Sequence, residues 1–237
     1  MPQTIEITTI DGAMPALSAE PEGTPAGALI VIQEAFGLTE HIGDVVDTYA
    51  AHGFRAVAPA LFHRQGSPVA SYDDFEAIKP AMGALDAAGI ALDLDATLAA
   101  LNEEGFDAAA LGMVGYCMGG SVTLFAATRP GLGAAVTYYG GGLSTGRFGM
   151  PPLLEIASSI RCPWIGHFGD LDKGIPLDEV NELRVEAAKA SVPTEVFTYE
   201  GADHGFNCND RPAVYNPDAA ALAFERSYEF FTSTLTS

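Results

Sequence analysis

Gly115-Tyr116-Cys117-Met118-Gly119-Gly120 is the stretch that decides how this chain folds. An apolar segment, Ala108 to Val114, precedes it and a helix-like segment, Ser121 to Thr128, follows it. Strand, sharp turn and helix around G-x-C-x-G is the setting of a nucleophile elbow, with cysteine where serine is usual. Residues two before and two after the nucleophile crowd one another in such a turn, so small residues are needed there. The turn lifts the Cys117 sulfur out of a sheet and aims it at a pocket. The competing reading is a buried structural cysteine at a glycine-rich strand end, because free cysteine is often interior.

Strand-like and helix-like segments alternate on both sides of the elbow. Thr4 to Thr9 alternates, Asp11-Gly12 turns, and Ala13 to Ala19 returns as a hairpin partner. Pro21 to Gly27 is a loop, and Ala28 to Gln33 is a continuous apolar run, as in a strand buried on both faces. Glu40 to His52 is a helix with Ile42, Val45, Val46 and Tyr49 on one face, closed by Gly53. Phe54 to Ala58 is a strand, Ser67 to Gly83 is irregular or helical, and Gly89 to Glu104 is a helix. Strands follow at Ala134 to Tyr139, Pro163 to Phe168 and Thr194 to Tyr199. Gly146 to Ser158 is a loop or short helix, and Asp178 to Ala190 and Asp218 to Leu235 are helices. The alternation predicts an α/β fold, a mainly parallel central sheet with helices on both faces and an N-terminal antiparallel hairpin. No linker or repeat interrupts it, so residues 1–237 are expected to form a single domain.

Bulk properties narrow the function. The 237 residues are 48% hydrophobic, enough for a substantial core. Lys plus Arg number 11 against 31 Asp plus Glu, a net charge of -20. Such a surface repels phosphate backbones and anionic membranes, so neither nucleic acid nor membrane is an expected partner. The three cysteines, Cys117, Cys162 and Cys208, are too scattered for a disulfide framework, and no C-x-x-C pair suggests zinc. No metal or cofactor is therefore expected. Met1 to Ile10 lacks the basic and apolar regions of a signal peptide, which makes the cytoplasm the expected location. The expected partner is a small molecule, with the chain as a monomer or small homo-oligomer.

In an open α/β sheet the ligand site lies beyond the carboxyl ends of the strands. Cys117, Asp170 and Asp172, and His204 each follow a strand, in the order nucleophile, acid, histidine. His204 is the expected base for the Cys117 thiol, and an aspartate would fix its tautomer and stabilise the imidazolium. Spacing leaves Asp170 and Asp172 as competitors: one would cap a turn while the other orients His204. Asp203 is a weaker rival. His41 and His52 are read as surface residues of a helix, and His63 and His167 as strand-end or loop residues, all four structural. Cys162 is expected to be inert, and Cys208 either lines the pocket or packs. Glu34, at the end of the buried run, is expected near the site or in a solvated loop. The same segment in this fold supplies one oxyanion-hole amide, and Met118, after the nucleophile, supplies the other.

The chain resembles the dienelactone hydrolase (carboxymethylenebutenolidase) family, of α/β-hydrolase fold. The carriers are Gln33-Glu34-Ala35-Phe36-Gly37, the cysteine elbow, Tyr138-Tyr139-Gly140, Asp172 four before Pro176, and Ala202-Asp203-His204-Gly205-Phe206. The resemblance implies a Cys117–His204–Asp172 triad and so chooses Asp172 over Asp170. It implies that Glu34 meets the resting thiol and helps generate the thiolate, and that Ala35 and Met118 supply the oxyanion amides. It implies opening of a lactone or ester by acyl transfer to cysteine, without metal. The sequence departs from the family at the carboxylate clamp. The family uses two arginines, one ahead of the elbow and one four residues after the histidine. Cys208 holds the second position, and Lys79 is the only basic residue between Gly66 and Thr128. Arg64, Lys79 and Arg211 are the candidate replacements, with Tyr138 and Phe206 as further pocket residues. Modest discrimination between a carboxylate-bearing lactone and its neutral analogue is expected. The alternatives are a broad-range small-acyl carboxylesterase without a carboxylate requirement, and a non-catalytic redox or ligand-binding protein on the same fold.

Overall fold

The computed structural model describes residues 1–236. Its strands are β1 (Gln3–Thr9), β2 (Gly12–Ala19), β3 (Ala28–Ile32), β4 (Arg55–Pro59), β5 (Leu111–Tyr116), β6 (Ala134–Tyr138), β7 (Trp164–Gly169) and β8 (Thr194–Tyr199). They form an eight-stranded sheet in the order β1-β2-β4-β3-β5-β6-β7-β8. β1 and β2 form the antiparallel hairpin, and β2 joins β4 antiparallel. Every pairing from β4 through β8 is parallel. The helices are α1 (Glu40–Ala51), α2 (Phe75–Gly83), α3 (Ala87–Glu103), α4 (Met118–Ala127), α5 (Leu153–Ile156), α6 (Leu177–Ala187) and α7 (Pro217–Thr234). This is the α/β-hydrolase fold.

Period-two alternation divides the core between the two faces of the sheet. On β3, Leu29 and Val31 join one cluster, with Ile42, Val46 and Tyr49 of α1 and Phe231 of α7. Ala28, Ile30 and Ile32 join the other, with Ile78 of α2, Ile90 and Leu94 of α3, and Val122 of α4. Burial on both faces is why β3 reads as an unbroken apolar run.

Local chemistry shifts a few boundaries. The elbow strand starts at Leu111 rather than Ala108, because Asp107 Oδ1 accepts the Ala109 and Ala110 amides and holds residues 108–110 in a turn. The segment from Ser67 to Gly83 resolves into a loop and then α2, which Asp74 caps by accepting the Ala77 amide. Pro80 inside α2 is what obscured that helix in the sequence. No helix among the described residues is long and apolar enough to cross a membrane.

Candidate active site

Several strand ends deliver side chains to the carboxyl edge of the sheet. Glu34 and Ala35 follow β3, Cys117 follows β5, Asp172 follows β7 and His204 follows β8. Cys117 has φ 55° and ψ -113°, a strained conformation costing on the order of 1–3 kcal/mol. The glycines permit it: a Cβ on Gly115 would overlap the Gly119 carbonyl, and one on Gly119 the Ile32 carbonyl.

His204 Nε2 lies 3.1 Å from Cys117 Sγ, and His204 Nδ1 lies 2.6 Å from Asp172 Oδ2. Asp172 Oδ1 accepts the Gly174 amide at 2.8 Å, so both of its oxygens are engaged. Asp170 instead accepts the Gly201 amide at 2.7 Å and ties the end of β7 to the turn ahead of His204. Asp203 accepts the His204 backbone amide at 2.7 Å.

Burial pushes the Cys117 thiol up, but the charge of His204 and its hydrogen bond outweigh burial, and the thiol falls below its ordinary value. Glu34 opposes that fall and Arg147 adds to it. Burial likewise pulls His204 down, yet the charge of Cys117 and the hydrogen bond to Asp172 raise it overall. The two shifts have opposite signs because each group's charged form favours the other's. Cys162, by contrast, is pushed up to about 12 by burial.

Glu34 is buried, and its Oε2 accepts a hydrogen bond from Tyr72 OH at 2.9 Å. The thiol is bonded to His204 rather than to Glu34, which differs from the contact the family resemblance implied. Tyr72 engages the carboxylate on one oxygen, and Glu34 acts on Cys117 through charge. Ala35 and Met118 both line the pocket. Met118 opens α4, where the first amides of a helix lack intrahelical acceptors and the dipole favours negative charge.

The pocket above Cys117 has a volume of about 430 Å³. Phe36, Phe75, Met82 and Ile175 give it apolar walls, and Arg147, Lys173 and Arg211 bring three of the chain's 11 Lys and Arg residues to it. Among the described residues Arg147 and Arg211 form no ion pair; each lies against an aromatic ring instead, Phe148 and Tyr72 respectively.

Of the expected pocket residues, Arg211 lines the cavity and four others do not. Arg64 is committed to Asp11 and Asp93. Lys79 pairs with Glu76 on the outer side of α2. Tyr138 stacks on Tyr116 inside the protein, with its hydroxyl 2.8 Å from Ser227 Oγ. Phe206 is fully buried among Tyr138, Tyr139 and Tyr199. Arg147 and Lys173 were not found in the sequence, although Arg147 lies shortly beyond the end of β6 and Lys173 adjoins Asp172. His41 is a further correction. It is 3% exposed rather than a surface residue, because it shares the i, i+4, i+8 stripe of Val45 and Tyr49 on α1. Cys208 is fully buried and packs beside Glu34 instead of lining the pocket.

Comparison with known proteins agrees with this architecture. A sequence profile of the dienelactone hydrolase family matches residues 14–235. An Escherichia coli strain K12 protein named "Putative carboxymethylenebutenolidase" is 34% identical over 226 residues, covering 92% of this chain and 82% of the relative. The carboxymethylenebutenolidase of Pseudomonas putida is 29% identical over 231 residues, covering 95% of this chain and 94% of its own. A Klebsiella pneumoniae crystal structure described as "Putative Dienelactone Hydrolase" superposes with a TM-score of 0.88 at 32% identity, covering 98% of both chains. With a strand-end elbow, a family profile spanning nearly all its length and relatives above 30% identity, the chain belongs to the dienelactone hydrolase family and is an ester-bond hydrolase.

Proposed function

We propose that the chain, as a single domain, hydrolyses a small ester or lactone that carries a carboxylate, through an acyl-enzyme on Cys117. The observation that carries the reading is the continuous relay from Asp172 through His204 to Cys117, at 2.6 and 3.1 Å, opening on a pocket with free cations. The Cys117 thiolate attacks the substrate carbonyl carbon. The tetrahedral oxyanion is received by the Ala35 and Met118 amides, which need no reorganisation to accept it. Collapse breaks the C–O bond, and the imidazolium of His204 gives its proton to the departing oxygen. In a lactone that oxygen stays tethered to the acyl group. Water then attacks the thioester, His204 takes its proton, and the Cys117 thiolate leaves. Asp172 keeps the His204 ring in the tautomer both steps require. Glu34 places negative charge near the sulfur and partly offsets the lowering of the thiol by His204.

Arg147 and Arg211 are the groups that receive the carboxylate. Their presence in the pocket changes the expectation of modest discrimination, since a bidentate guanidinium contact is both strong and directional. A panel of lactones and aryl esters, each with and without a carboxylate, tests both parts. The expected result is an acyl adduct on Cys117 by mass spectrometry and higher kcat/KM for the carboxylate member of each pair. An adduct with equal kcat/KM across pairs supports the broad small-acyl esterase, to which the apolar walls are suited. No adduct and no turnover would leave the non-catalytic reading.

A further inference from the structure

Behind the pocket lies a second buried group that the hydrolytic relay does not use as a unit. A carboxylate oxygen of Glu34, an imidazole nitrogen of His41 and the Cys208 sulfur lie within 4.8 Å of one another, and all three residues are buried. They come from the end of β3, the first turn of α1 and the loop after His204. No sequence spacing could reveal the group, because three separate segments build it.

Its hydrogen bonding is incomplete in one direction. His41 Nδ1 lies 3.2 Å from Asn209 Oδ1, an acceptor, so Nδ1 carries the proton and Nε2 the lone pair. That Nε2 is buried without a partner, and so is Glu34 Oε1. Burying a polar atom without a partner is unfavourable, and a bound species with positive character would satisfy both atoms. The residue types narrow the species. Thiolate, imidazole and carboxylate are the zinc donors, and soft ligands exclude magnesium and calcium. A hydrogen bond from the far nitrogen, as from His41 Nδ1 to Asn209, is how metal-binding imidazoles are aimed. One thiolate and one carboxylate would neutralise a divalent ion, so the occupied site would bury no net charge. A cavity of about 300 Å³ lined by His41, Asp44, Asn207, Asn209 and Tyr215 reaches His41 from the outside.

We propose that Glu34, His41 and Cys208 form a binding site for a thiophilic divalent cation of the zinc class, with water as the fourth ligand. Binding forms one bond from each donor atom to the ion and breaks only the Cys208 S–H bond, releasing that proton to solvent; nothing is oxidised or reduced. Burial, and then the charge of Glu34, push the Cys208 thiol up to about 11, so capture of the ion is coupled to that proton. A bound ion would also hold Glu34 away from Cys117, a consequence that rests on the role given to Glu34 above.

The test uses the full chain carrying Cys117→Ser, which removes the nucleophilic sulfur as a competing ligand. Cobalt(II) chloride is titrated in and the cobalt–thiolate charge-transfer absorption is read. One equivalent should bind, release one proton, be displaced by zinc chloride and be indifferent to magnesium chloride. Adding Cys208→Ser should abolish the charge-transfer band, and adding His41→Gln should weaken binding by at least about tenfold. Circular dichroism establishes that each variant is folded, and if one is not, the other decides. Absence of one-to-one binding in the Cys117→Ser protein overturns the proposal. So does a band that survives the replacement of Cys208, or a cobalt affinity that His41→Gln leaves unchanged. Since the readout is binding without turnover, either failure leaves the hydrolase reading untouched.

Discussion

Cys117, His204 and Asp172 form one trio at this end of the sheet, and Cys208, His41 and Glu34 form another from nearly the same residue types. In the first, each imidazole nitrogen has a partner, and the three side chains make a chain along which a proton can move. In the second, the Nδ1 proton of His41 points outward to Asn209, while Nε2 and a carboxylate oxygen are left unpaired. The sulfurs differ as well. His204 pulls the Cys117 thiol down, whereas burial and Glu34 push Cys208 up to about 11. Residue type therefore does not decide the chemistry of a cysteine–histidine–carboxylate group. The direction of its hydrogen bonds and the sign of the neighbouring charge do.

The largest expected effect separates the two sulfurs. Cys117→Ala and His204→Ala should each lower kcat on the order of 10⁴-fold or more, and the double variant should be little worse than either. A loss of that size in Cys208→Ala, with the fold intact by circular dichroism, would erase the distinction. Next is the acid. Asp172→Asn should slow turnover by roughly 10³- to 10⁴-fold, while Asp170→Asn, which loosens a turn, should cost less than about tenfold in steady-state kcat. The opposite ranking would transfer the orienting role to Asp170.

Arg147→Ala should raise KM for a carboxylate-bearing lactone by about tenfold to a hundredfold, the worth of one charge-assisted hydrogen bond. Its neutral analogue should be nearly unaffected, and equal losses on both would remove Arg147 from carboxylate binding. A smaller change is expected in the pH dependence of alkylation. Cys117 should react with iodoacetamide along a curve whose midpoint lies below an ordinary thiol, because the thiolate is the reacting form and His204 stabilises it. In His204→Ala the effect of burial remains and its counterweight is gone, so the midpoint should move up. A midpoint unchanged by that replacement would mean that another group stabilises the thiolate. The smallest effect is expected at Lys79, exposed on α2, paired with Glu76 and set over the Phe75 ring. Lys79→Ala should change unfolding free energy by no more than about 0.5 kcal/mol in a urea titration and leave substrate preference unaltered.

Much of this is legible in the sequence. Hydrophobic runs buried on both faces announce a parallel sheet, and the glycines around Cys117 announce the turn, because both follow from local sterics. Cys117 and His204 were legible since each stands alone after a strand. Asp170 and Asp172 were not separable, because they share one strand end and only the distant Gly201 amide and His204 ring distinguish them. His41 was read as exposed although its spacing to Val45 and Tyr49 carried the opposite message; a polar residue on a helix face is easily assigned to solvent. Arg147 was missed for a different reason. It lies in an irregular segment between β6 and α5, whose path across the pocket no periodicity encodes.

The three cations lining the pocket have a consequence for leaving as well as for arriving. Opening a lactone creates a carboxylate, so a monoanionic substrate departs as a dianion. Arg147, Lys173 and Arg211 would grip that product more firmly than the molecule that entered, while the remaining surface of a chain with net charge -20 repels it. Release is then the step most exposed to ionic strength. Added salt should speed turnover of lactones at saturation more than turnover of neutral acyl esters, which leave behind only a single charge. Steady-state rates for the two substrate classes across a salt series would show whether escape, rather than bond cleavage, sets the pace; equal salt responses would exclude it.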